Sequence, residues 1–134
     1  MKKLFRNLLT IFCVLAALNA SAQIVLIVET PAPLAGTYDF TYASTWAANM
    51  DTIGITAEAA FAVDGSATED SLVCGAVINP LDIDGKIAVL YRGACEFSSK
   101  AKNAQDSGAI ACIIINNIPG APIEMGGGLL ADDE

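Results

Sequence analysis

The sequence predicts an α/β domain, rich in β structure, whose best-defined part is one strand–helix–strand unit. Three observations predict it. Residues 86–91 (Lys-Ile-Ala-Val-Leu-Tyr) and 109–115 (Ala-Ile-Ala-Cys-Ile-Ile-Ile) are short apolar runs of the composition that buried strands use. Between them Phe97, Ala101 and Ala104 recur at helical spacing. Elsewhere glycine and proline cut the chain into pieces of strand length.

The elements follow in order. Lys2, Lys3 and Arg6 precede an apolar run, residues 8–18, broken only by Thr10, and Ala20-Ser21-Ala22 supplies a small-residue cleavage signature. Residues 1–22 are therefore expected to be a cleavable export signal, with residues 23–134 as one mature domain. A membrane span needs about 20 apolar residues. That run is about half as long, and no later segment is longer, so the mature chain is expected to be secreted, periplasmic or held at the cell surface without a span of its own. Residues 23–29 read as a strand ended by Thr30-Pro31-Ala32-Pro33. Tyr38, Phe40 and Tyr42 alternate, as in a half-exposed strand or an ordered loop. Residues 53–63 are apolar at every second position and suit a hairpin arm, although their alanines also permit a helix. Asp64-Gly65-Ser66 is a turn and Thr68-Glu69-Asp70-Ser71 a polar loop.

Pro80 and Gly85 punctuate the approach to the strand at 86–91. A tight turn over 92–96 leads to a helix N-capped by Ser98 or Ser99 and running to about Asp106, with Gly108 as its left-handed stop. The strand at 109–115 is expected to be buried on both faces. Two strands joined by a helix in about 30 residues imply parallel pairing and a right-handed crossover. After Asn116-Asn117 the chain is irregular, rich in glycine and proline, and shows no closing strand.

A mature chain of this length can bury roughly two-thirds of its unfolded surface, enough for one core. Composition then removes whole classes of function. The protein has no histidine, so neither a Ser-His-Asp nor a Cys-His relay, nor a histidine-ligated zinc site, can be built from it alone. No catalytic, metal or cofactor residues are assigned, and the domain is expected not to be an enzyme by itself. Past residue 22 only four cations stand against 15 acids, which argues against nucleic acid as a partner. Near-matches to known motifs fail on chemistry. Residues 93–100 lack the glycine before Lys100 and the Ser or Thr after it that a phosphate loop needs. Asp51-Thr52-Ile53-Gly54 lacks a glycine directly after the Asp-Thr pair, as an aspartic-protease loop requires. Asp82-Ile83-Asp84-Gly85 lacks the remaining carboxylates of a calcium loop, and Cys95 lacks an imidazole base.

Export bears on the cysteines. Cys13 leaves with the leader, and Cys112 lies in an apolar strand where a free thiol behaves as a small hydrophobe. Cys74 and Cys95, beside Gly75 and Gly93, are the expected disulfide; three reduced, buried thiols are the alternative. The four mature cations, Lys86, Arg92, Lys100 and Lys102, fall within 17 residues that hold one acid, Glu96. They either pair with acids elsewhere on the domain, or Arg92, Lys100 and Lys102 form a positive spot at the strand–helix turn that receives a peptide carboxylate or an acidic partner. On the second reading, replacing Arg92 and Lys100 by alanine leaves folding nearly intact and weakens binding.

Residues 84–100, Asp-Gly-Lys-Ile-Ala-Val-Leu-Tyr-Arg-Gly-Ala-Cys-Glu-Phe-Ser-Ser-Lys, resemble the hallmark of the protease-associated (PA) domain family: a Gly-Lys-Ile strand, an Arg-Gly-x-Cys-x-Phe turn, then a helix. The helix, Lys100-Ala101-Lys102-Asn103-Ala104-Gln105-Asp106-Ser107-Gly108-Ala109, and the strand ending at Asn116 are similar to the family's as well. So are residues 31–38, Asp64-Gly65 with Cys74, and Met125-Gly126-Gly127, and the match extends over about residues 29–128. The resemblance implies a β sandwich or barrel with short flanking helices, of the swivelling β/β/α type, without catalysis. It implies a protein- or peptide-binding module of a secreted peptidase or multidomain surface protein. It also agrees with a Cys74–Cys95 bridge. The family continues past the Gly-rich exit into a further strand and turn, so a truncated product, or the front of a longer peptidase whose catalytic residues lie beyond Glu134, is expected alongside a free-standing surface module.

Overall fold

A computed structural model describes residues 24–50, 54–66 and 70–128 of the protein. The expected export signal, the Asp51-Thr52-Ile53 part of the protease-like loop, Thr68-Glu69 and the chain's last six residues lie outside them.

Strand β1 (Leu26–Val28) pairs antiparallel with β2 (Gly36–Tyr38), and a 3-10 turn over Ala32–Leu34 joins them. The proline-rich connection is therefore a hairpin loop, placed where Pro31 and Pro33 deny the backbone its ladder donors. Tyr38 lies in β2, while Phe40 and Tyr42 fall in the ordered loop after it. The Tyr42 hydroxyl donates to the carbonyl of Ala48, and the Tyr38 hydroxyl donates to the carbonyl of Leu34 at 2.7 Å.

The second sheet has the order β3 (Ala59–Phe61), β4 (Ile87–Tyr91), β5 (Ala111–Ile115) and is parallel throughout. Ile87 stands opposite Ala111, and Tyr91 opposite Ile115, so all five residues of β4 are in register with β5. The intervening helix α2 (Phe97–Asp106) packs on β5, which makes the strand–helix–strand unit real. Of the stretch 53–63, the described residues 54–63 are neither a hairpin arm nor a helix: Ala59–Phe61 pairs parallel with β4 instead. A parallel partner requires a crossover, and the intervening chain provides one through a 3-10 turn at Asp70–Leu72 and the short helix α1 (Pro80–Ile83).

The core is small. Ala62, Val73, Ile83, Ala88, Leu90 and Ala104 are essentially without exposed surface, and Cys112 and Ile114 pack against them. Only alternate residues of β4, Ala88 and Leu90, are fully buried, and β5 is half-buried along its length rather than buried on both faces. Both β3 and β5 are edges of this sheet, and no closed barrel is formed among the described residues. The expected sandwich or barrel is thus, over these residues, a three-stranded and a two-stranded sheet in a mixed α/β fold.

Helix α2 begins two residues before the serine caps expected from the sequence. Glu96 is the N-cap, without a side-chain capping bond, and Ser98 sits inside the first turn with its hydroxyl buried and without a partner among the described residues. Phe97 therefore enters the helix instead of preceding it. The other end follows expectation. Gly108 has φ +92°, its N–H bonds to Gln105 and the Ala109 N–H to Ala104, closing the paired bonds of a left-handed helix stop.

Candidate functional site

The turn between β4 and α2 is where the sequence's distinctive residues converge. Gly93 takes φ +127° and Ala94 φ +61°, so the chain reverses sharply after Arg92 and delivers Cys95 at the head of α2. A side chain at Gly93 would press on Leu72 at 3.3 Å. Cys95 is bonded to Cys74, with the two Cα atoms 5.7 Å apart. The expected disulfide is therefore present, and among the described residues Cys112 is the free thiol.

The segment leading to Cys74 is held almost wholly by side chains. Val73 is buried and adopts φ +54°, a conformation rare for a β-branched residue and costly without external support. That support comes from one face of α2 and from one carboxylate. Lys100 Nζ donates to the carbonyl of Leu72, and Asn103 Nδ2 donates to that of Val73 at 3.1 Å. Asp64 Oδ2 accepts from the N–H of Cys74 at 2.7 Å and of Gly75 at 3.2 Å, while its Oδ1 accepts from Ser66 N–H at 3.0 Å. Burial pushes the Asp64 carboxyl up, but these backbone donors outweigh it and hold it below the ordinary carboxylate value.

The cations do not assemble into one spot. Lys100 has no exposed surface: its stem lies in the core and its ammonium serves the Leu72 carbonyl, so it is a structural residue and not a surface contact. Burial lowers its pKa, opposed by the nearby Asp64 carboxylate. The expectation that Lys100→Ala leaves folding intact is corrected by this placement. Lys102 is exposed and paired with Asp106 one turn on, and Lys86 pairs with Glu58 at 3.4 Å. For these two the pairing alternative holds. Arg92 remains in the turn, half-buried, with one guanidinium nitrogen donating to Asn116 Oδ1 at 3.0 Å. Asn116 in turn donates to the carbonyl of Ala121 at 3.0 Å, so the guanidinium is held through a side chain that is itself fixed.

Asp82 accepts from Asn79 Nδ2 at 3.1 Å, and Ile83 between the two aspartates is a core residue, so this stretch is the end of α1 and the turn into β4. The sequence reading missed the roles of Asp64 and Asn103. Asp64 was legible only as a turn former, and Asn103 shares an i, i+3 face with Lys100, a spacing that signals a common contact without naming it.

A second concave surface of about 440 Å³ lies beside the hairpin, lined by Ile24, Val25, Tyr38, Asp39, Phe40 and Pro122 among others. Its far wall is tied down by Thr41, which donates to the carbonyl of Ile123, and by Trp46 Nε1, which donates to that of Met125 at 2.8 Å. The aromatic stretch and the Gly-rich exit are thus neighbours.

The PA domain family profile matches residues 37–134. Leucine aminopeptidase 2 of Trichophyton equinum is 39% identical over 56 residues, which cover 42% of this chain and 11% of that protein. The enzyme of the same name from Arthroderma otae is 41% identical over 56 residues, again 42% of this chain and 11% of the relative. The human ER degradation-enhancing alpha-mannosidase-like protein 3 is 44% identical over 48 residues, 36% of this chain and 5% of its own length. The matched segment spans about a tenth or less of the length of these curated relatives. No solved structure matches the chain.

Proposed function

Because the chain belongs to the PA domain family, we propose that it is a non-catalytic protein- or peptide-interaction module of an exported protein, assisting substrate recognition or access in a secreted peptidase. One observation carries this reading. Stretches of this chain match proteins named for two different reactions, an aminopeptidase and an alpha-mannosidase-like protein, each over a small fraction of the relative's length. Likeness to small parts of proteins with unrelated chemistries supports a role in contact over a role in either reaction. The absence of histidine agrees, since the common nucleophile relays cannot be assembled from this chain. Export is supported by the Cys74–Cys95 disulfide, which persists in oxidising compartments, and by the basic and apolar pattern of residues 1–22.

The contact we assign is Arg92. Asn116 holds its guanidinium at the turn, and a planar fork so held suits a peptide carboxylate or an acidic side chain. Lys102 is exposed on α2 but paired with Asp106, and Lys100 is withdrawn.

The test uses purified residues 23–134 and a library of short peptides with free or amidated C-termini. Binding that prefers the free carboxylate and falls about tenfold in Arg92→Ala, with an unchanged melting temperature, supports the assignment. Hydrolysis of aminoacyl substrates that survives repurification, or binding indifferent to Arg92, overturns it.

A further inference from the structure

Lys100 does more than brace a carbonyl. Its Nζ lies 3.7 Å from Cys74 Sγ, one of the two sulfurs of the disulfide. The ammonium is fully enclosed, whereas Cys74 is exposed and Cys95 half-exposed. A buried cation is thus held against one sulfur of a bridge that solvent can reach. Other charged groups lie on the elements around it. Asp64, on the loop after β3, directs its carboxylate to three backbone N–H groups, that of Cys74 among them. Its charge works against a Cys74 thiolate, yet it helps Lys100 keep its proton against the burial that lowers the lysine's pKa, and the Lys100 ammonium is the charge in direct contact with the sulfur. Glu96, next to Cys95, lies over Gly128. Arg92 is bonded to Asn116, and Lys102 is paired with Asp106.

We propose that the Cys74–Cys95 bridge is a directional thiol-exchange site: a small thiol attacks Cys95, and Cys74 leaves as a thiolate stabilised by the Lys100 ammonium. In the exchange the incoming thiolate forms a bond to Cys95 Sγ as the Cys95–Cys74 bond breaks. The electron pair of that bond stays on Cys74 Sγ, and no proton is needed because Lys100 already supplies the countercharge. The product is a mixed disulfide on Cys95 and a free thiolate on Cys74. A second equivalent of thiol then releases Cys95 as a thiol and is itself oxidised to the small disulfide. A leaving thiolate beside a cation departs faster than one in neutral surroundings, and the slower-leaving sulfur keeps the adduct. The proposal is independent of what the module binds, because it concerns the bridge and the helix behind it.

The experiment treats the native, oxidised protein with glutathione at pH 7.5, quenches with N-ethylmaleimide and maps the adducts by mass spectrometry. Glutathione on Cys95 and maleimide on Cys74, in at least about tenfold excess over the reverse, is the expected result. Lys100→Met lowers the exchange rate by about tenfold and scrambles the site, whereas Lys100→Arg retains both. Adducts shared equally between the cysteines, glutathione on Cys74, or an unchanged rate in Lys100→Met overturns the proposal. If Lys100→Met fails to fold, the wild-type protein still decides. After reduction, the pH dependence of Cys74 alkylation gives its titration midpoint, expected below the ordinary thiol value of about 8.5; a midpoint at or above it overturns the proposal.

Discussion

Asn103 reaches from the middle of α2 to the carbonyl of Val73, 30 residues earlier in the chain, and bonds it at 3.1 Å. Val73 is fully buried and left-handed, so this carbonyl cannot turn to water. Removing the amide leaves a buried acceptor unpaired, at a cost of about 1–3 kcal/mol. Asn103→Asp is the sharper test, since a carboxylate has the same shape but no proton to donate. Both Asn103→Asp and Asn103→Ala are expected to lower urea stability at pH 7, with Asn103→Asp at least as damaging. A stable Asn103→Asp protein would show that the bond is dispensable.

Asp64 makes the same turn sensitive to acid. Its folded-state pKa is held below the ordinary value of 3.8, so the folded protein binds its proton less readily than the unfolded chain does. The stabilisation is therefore complete above the unfolded value and is lost as pH falls from about 3.8 toward the lowered one. The stability gap between wild type and Asp64→Asn is expected to be constant from pH 7 to 5 and to close below pH 4. Denaturant melts of both proteins over that range check it, and a gap that widens in acid would reverse the assignment.

The strand–helix–strand unit was legible because its signals are local. An apolar run, a helical stripe ended by Gly108, and a second apolar run each declare themselves within ten residues. The pairing of Ala59–Phe61 was not, because period-two alternation fixes a strand's faces but not its direction or its neighbour. The cations were misjudged for a related reason. Lys100 differs from Lys102 only by its position around the helix, and which face points inward depends on the remote segment at Leu72–Gly75. Charge read along the chain says nothing about a lysine whose stem fills the core and whose ammonium meets a carbonyl.

Ser98 is a defect within that same helix. Its hydroxyl is buried, 4% of the residue being exposed, and finds no partner among the described residues. Replacing a buried unsatisfied polar group by an apolar one of similar size removes its desolvation cost, so Ser98→Ala is expected to stabilise the protein by about 1 kcal/mol. Alanine also has the higher helix propensity. Thermal melts of Ser98→Ala alongside Ser99→Ala, at the half-buried neighbour, separate the two contributions: only the first is expected to raise the melting temperature by more than propensity supplies. A drop in Ser98→Ala would mean that the hydroxyl has a bonding role.

Cys112 gives the alkaline counterpart of Asp64. Burial pushes its thiol from 9.0 up to about 11, because a thiolate on β5 would face the apolar cluster around Leu90 and Ala104. Here the folded state holds its proton more tightly than the unfolded chain, so the contribution is intact below pH 9 and is lost as pH rises from there through about 11. The loss amounts to about 3 kcal/mol at most, since a tenfold change in proton affinity is worth about 1.4 kcal/mol. Wild type and Cys112→Val are expected to differ by a fixed amount from pH 6 to 8.5, after which wild type falls faster. Labelling supplies an independent reading of the same physics. Iodoacetamide at pH 8 is expected to leave Cys112 unmodified in the native protein and to modify it readily in urea, because only unfolding frees the thiolate. Rapid native labelling would place this sulfur at the surface and remove both effects together.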